Sequence, residues 1–114
     1  MSTEQPIQNI DQIDIVGKRN DGGVDLIVVV SGPLLGSQSH KSLLQAKVQT
    51  YADEIGRPQF RPGLGIDDSS RIEILIVSDQ PVDRSIREFV LSLGPIAEKV
   101  GATLRLTTSQ EQWG

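Results

Sequence analysis

Val24 to Gln45 reads VDLIVVVSGPLLGSQSHKSLLQ. Seven residues of strand character meet a loop with two glycines, and a helical pattern follows. Val24, Leu26, Val28 and Val30 line one face of the strand. Ile27 and Val29 lie on the other with Asp25. Apolar residues on both faces mark a central strand. The segment is therefore one strand-to-helix unit of an α/β fold.

Upstream, Ile10 to Lys18 alternates, which is the period of a strand. Asn20-Asp21-Gly22-Gly23 follows, and these residues accept the positive φ of tight hairpin turns. The two strands are expected to form an antiparallel hairpin. Downstream, Ser37 or Ser39 caps a helix beginning near His40. Leu44, Val48, Tyr51, Ala52 and Ile55 form its apolar stripe, and Gly56 and Pro58 end it. Pro58 to Ser70 reads as a long loop. Arg71 to Val77 is a third strand. A second helix is expected from the Asp79–Pro81 region, with Val82, Ile86, Phe89, Val90, Leu93, Ala97 and Val100 on one side. Gly94-Pro95 predicts a kink or break in it, because proline lacks an amide hydrogen and clashes with the preceding turn. Thr103 to Thr108 is a last strand with one polar face, as suits a sheet edge.

The order is thus β-β-α-β-α-β. Two helices with one stripe each cover one sheet face, so a two-layer α/β (α+β) sandwich is expected, its four-stranded sheet mixed and both helices on one face. Residues 1–9 read as a flexible leader, 10–108 as a single domain and 109–114 as a polar tail. By alternation the uncovered face carries an apolar strip of Val16, Ile27, Val29, Leu75 and Val77 between charged ends. Such a strip is either a partner surface or a face covered by a loop, the leader or the tail.

The chain of 114 residues has no cysteine, one histidine and a net charge of −4. Disulfides, thiolate metal sites and a cysteine nucleophile are excluded. A Ser-His-Asp triad would have to use His40. The scattered Lys and Arg residues and acidic balance argue against nucleic-acid binding. No signal-peptide pattern is present, and no apolar run approaches the roughly 20 residues that span a bilayer. A cytoplasmic protein without membrane attachment or cofactor is expected.

The Gly-Lys-Ser content around His40 resembles a phosphate-binding loop only superficially. In G-x-x-x-x-G-K-[ST] a glycine directly precedes the lysine. Here His40 precedes Lys41-Ser42, and Leu35 stands where the first glycine belongs. A weaker anion site remains at the helix starts: Ser39, His40 and Lys41 on one, Asp79 and Gln80 on the other. Asp67-Asp68 reads as turn formation. In the long loop, Arg57, Phe60 and Arg61 form either an interface anchor or, for Phe60, a satellite of the core. Trp113 poses the same choice in the tail.

IDQIDIVGKRNDGGVDLIVVVSGPL, HKSLLQAKVQTYADEI and GATLRL together resemble a family of small bacterial α/β proteins classed as a domain of unknown function. The shared pattern is an acidic-apolar strand ending near Gly17, a turn, an alternating strand, and a helix opening His-x-x-Leu-Leu-Gln with a later tyrosine. Those positions are His40, Leu43, Leu44, Gln45 and Tyr51. The resemblance spans about residues 10–106. It implies the same fold and brings no catalytic residues. It also implies a continuous second helix, from which Gly94-Pro95 departs. Small acidic α/β proteins of this kind look similar to immunity proteins paired with bacterial toxins. A non-enzymatic domain that binds a protein or itself, as monomer or homodimer, is therefore the first expectation. Anion binding or enzymatic use of the helix starts is the second.

Overall fold

Asn20 to Gly23 makes the turn its residues foretell. Gly22 adopts a φ of 88°. The Asp21 carboxylate accepts the Gly23 N–H at 2.8 Å, and the Arg19 N–H donates to the Gly23 carbonyl at 2.8 Å. The computed structural model describes residues 13–30, 37–67, 69–80 and 82–108. The turn joins β1 (Ile15–Lys18) to β2 (Val24–Val30). Then come α1 (Gln38–Ile55), the single turn α2 (Phe60–Gly63), β3 (Ile72–Ser78), α3 (Arg84–Glu98) and β4 (Ala102–Thr108). The leader 1–9, Asp68, and the tail with Trp113 lie outside the described residues.

The sheet order is β1-β2-β3-β4. β1 pairs antiparallel with β2. β2, β3 and β4 are parallel. Val24, Leu26 and Val28 stand beside Ile72, Ile74 and Ile76 on one face, and all six are buried. Leu44, Val48 and Tyr51 of α1 and Ile86, Val90, Leu93 and Ala97 of α3 complete this core. Both long helices therefore lie on one face, and the fold is the expected α+β two-layer arrangement.

The structure decides some open readings and corrects others. α1 begins at Gln38, because Ser37 takes the cap and its hydroxyl accepts the His40 N–H at 3.3 Å. The long loop contains α2. Phe60 packs against the core, and Arg61 donates back to the carbonyls of Asp67 (2.9 Å) and Ser70 (3.1 Å). Pro62 is tolerated there because first-turn amides need no intrahelical acceptor.

The third helix begins at Arg84, with Asp83 at the cap position, and not at Asp79. Asp79 instead extends the strand pairing, its N–H reaching the Val30 carbonyl at 3.4 Å. The Ser78 hydroxyl bonds Gln80 through both its carbonyl (2.8 Å) and its N–H (3.3 Å), which makes a turn. Gln80 also precedes Pro81, and a residue before proline is disfavoured in the helical region. α3 then runs through Pro95 without a break. The acceptor deprived of its donor is the Leu91 carbonyl, four residues back. Leu91 is 79% exposed, so water reaches that side of the helix.

Candidate functional site

The strand register assembles the open face row by row. Gly17, Asp25, Glu73 and Thr103 form the lowest row. Ile15, Ile27, Leu75 and Arg105 form the next. Val29, Val77 and Thr107 form the third. The face is divided along the strands: charged below, apolar above. Arg105 leans from the middle row to the Glu73 carboxylate at 3.1 Å, which keeps its charge with the lower half.

Val16 does not belong to this face. It pairs with Leu26, whose side chain points to the helices, and Ile15 pairs with Ile27 in its place. The sequence pattern of β1 is apolar in both phases, so alternation alone set the wrong phase for this strand. Ile15 is 48% exposed and Val29 39%. Ile27, paired with Ile15, and Val77, paired with Val29, are half-buried. Leu75, in the central strand, is only 5% exposed, and Thr107 is buried as well. The expected strip is therefore a smaller patch of Ile15, Ile27, Val29 and Val77, with Leu75 at its floor.

At the charged end, Asp25 lies 3.4 Å from the Arg19 guanidinium, and Arg19 lies 3.4 Å from Asp21. Arg19 Nε and Asp25 Oδ1 are buried and make no hydrogen bond, so the pair has charge contact without bonding geometry. Burial pushes the Asp25 carboxyl above its ordinary value, and this outweighs the neighbouring Arg19. Asp67 goes the other way. Its carboxylate accepts from the Ser69 hydroxyl and N–H, which hold it below its ordinary value. That is the expected turn before β3.

Arg57, Phe60 and Arg61 do not join the apolar patch. Arg57 pairs with Glu54 at 3.3 Å. Arg57 and Arg61 line an open depression of about 600 Å³ between the ends of α1 and α3, with Pro62, Ile66 and Lys99. No residue of the patch borders it.

The starts of α1 and α3 do share the carboxyl edge of the parallel strands. Lys41 lies over the Phe89 ring, 5.8 Å from its centroid, so the first turn of α1 packs against α3. Ser39 is exposed, and its hydroxyl lies 3.3 Å from that of Ser37. His40 is half-buried. Asp79 and Gln80 belong to the turn after β3. Ligand crevices in open α/β sheets form where the strand order reverses and successive connections leave to opposite faces. Here the order never reverses and both crossovers pass over one face. Among the described residues no group of three His, Cys, Asp or Glu is placed to hold a metal ion. Among them also, no helix is long and apolar enough to cross a membrane.

One polar cluster escaped the sequence reading. Lys47 is completely buried, and its ammonium lies 2.8 Å from Asp14 Oδ1. Asp14 Oδ2 accepts the Val29 N–H at 3.0 Å. The Tyr51 hydroxyl accepts the Asp14 N–H at 2.9 Å and donates to the Ile27 carbonyl at 2.6 Å. Burial pushes the Tyr51 hydroxyl well above its ordinary value. The signal was present in the sequence: Lys47 follows Leu44 by three and precedes Tyr51 by four, so it falls on the apolar stripe.

No family model, curated protein or solved structure matches this chain.

Proposed function

We propose that this is a non-enzymatic protein-binding domain that works through the upper half of its open sheet face. The observation that carries the reading is that Ile15, the cross-strand partner of Ile27, and Val29, two residues along β2 from Ile27, share the face away from the helices and are both more than a third exposed. Ile27 and Val77 join them into one apolar patch. A rim of Asp25, Glu73 and Arg105 borders it below. Apolar patches with polar rims are a common form of protein contact surface. A second copy of the chain is the partner to test first, because an apolar sheet face can pack on its own two-fold mate. The cytoplasm is the compartment we assign to it. The Arg57–Arg61 segment plays no part in this surface, since Phe60 and Arg61 are used internally.

Light scattering across a concentration series tests the reading, with Val29→Asp as the control. A concentration-dependent dimer that Val29→Asp abolishes supports self-association. A dimer unaffected by Val29→Asp moves the contact elsewhere and refutes the role of the patch. A monomer at every concentration removes the self-associating form of the proposal. No observation favours the anion site, so it is not carried further.

A further inference from the structure

We propose that β1 is a releasable strap, held to the rest of the sheet chiefly by the Lys47–Asp14–Tyr51 latch. This rests on packing within the chain and does not depend on the binding surface.

The first observation is how little β1 buries. None of its four residues is fully buried, and its two large side chains, Ile15 and Val16, are 48% and 42% exposed. β2 and β3 each place at least four residues in the buried class. Hydrophobic stabilisation follows the apolar area removed from water, so β1 gains far less of it than its neighbours.

The second observation is where polar bonding concentrates. Immediately before β1, Asp14 uses its carboxylate oxygens and its amide together. One oxygen meets Lys47 of α1, the other the Val29 amide of β2, and its N–H meets the Tyr51 hydroxyl. Lys47 and Tyr51 stand one turn apart on α1 and are both fully buried. The Lys47 ammonium also sits over the Tyr51 ring, 5.6 Å from its centroid. The helix thus reaches past β2 to grip the chain at one residue. The Tyr51 hydroxyl bridges Asp14 to β2 by accepting the Asp14 N–H and donating to the Ile27 carbonyl.

The two observations together predict local opening. A segment with few buried contacts opens at lower free energy than the core it borders. When β1 lifts, the carboxylate leaves Lys47 and Val29, and the outer edge of β2 comes free. An uncovered strand edge is a template for another strand.

Residue-resolved amide exchange by NMR on the whole chain tests this, comparing the native protein with Lys47→Met and Asp14→Asn. Methionine fills the lysine's space without its charge. Asparagine keeps the shape of Asp14 and removes the charge. Either variant loses a charge-assisted contact, which corresponds to exchange roughly tenfold faster in β1. The β3 and β4 amides are expected to stay within about twofold of the native rates by the same reasoning. If β1 and β3 lose protection together, β1 is an integral strand and the proposal fails. If β1 protection is unchanged in Asp14→Asn, the latch does not hold it and the proposal fails equally.

Discussion

Tyr51→Phe is the sharpest perturbation the structure offers. The ring is completely buried, and phenylalanine fills the same space, so no cavity opens. What is lost is one hydroxyl with two partners, the Asp14 N–H at 2.9 Å and the Ile27 carbonyl at 2.6 Å. Each partner left unsatisfied costs about 1–3 kcal/mol, and the half-buried setting favours the lower part of that range. The expected loss is about 2–3 kcal/mol, a large share of the 5–15 kcal/mol typical of a domain. At roughly 4 °C per kcal/mol for a chain of this size, Tm falls by about 10 °C. Urea denaturation followed by circular dichroism measures the loss. The midpoint should drop while the slope stays constant, since the same surface is exposed on unfolding. A loss below about 0.5 kcal/mol would refute the reasoning, because water would then be replacing the hydroxyl at both partners.

Tyr51 is the only tyrosine, so its ionisation can be followed alone at high pH. Its raised folded-state value means that stability is retained below pH 10 and lost as pH climbs towards the folded value. Phenolate absorbance should therefore appear together with unfolding, and phenolate in a chain still folded by circular dichroism would contradict the burial argument. Asp25→Asn probes the charged end of the open face. A raised carboxyl contributes stability that is present below the unfolded value of 3.8 and disappears as pH rises through the folded one. The native chain should lose stability relative to Asp25→Asn over that rise, as read from urea midpoints at successive pH values; a relative gain would refute the assignment. Leu75→Ala should cost about 2–4 kcal/mol because it empties a buried site, whereas Val29→Ala should cost under about 1 kcal/mol. Thermal unfolding of the two variants decides this, and equal losses would mean that the open face is covered more evenly than the exposures indicate.

The architecture was legible because two periods dominate the sequence. The alternation of Val24–Val30 and the three-and-four spacing of Leu44 to Ile55 each fix an element, and the Asn-Asp-Gly-Gly turn fixes the hairpin. The weaker readings share a cause, which is that local pattern was outvoted by contacts distant in sequence. β1 is apolar in both phases, so only its pairing with β2 reveals that Ile15 and not Val16 lies on the open sheet face. Asp79 resembles a cap, yet its amide is drawn to Val30, and the cap position passes to Asp83. The sequence leaves Phe60 open between an exposed anchor and a satellite of the core; packing decides for the core, while Arg61 holds the carbonyls of its own loop. The latch was hidden differently: a lysine normally reads as solvated surface, and only its place on the stripe betrays it.

Among the described residues, strand order in the sheet is also order along the chain, with no strand inserted between two earlier ones. A polypeptide emerging from the ribosome would meet its partners in sequence: the hairpin first, then β3 onto β2, then β4 onto β3. No finished pair has to be pried apart to admit a latecomer. Each stage leaves a single growing edge on the β3–β4 side, so synthesis and assembly can advance in the same direction.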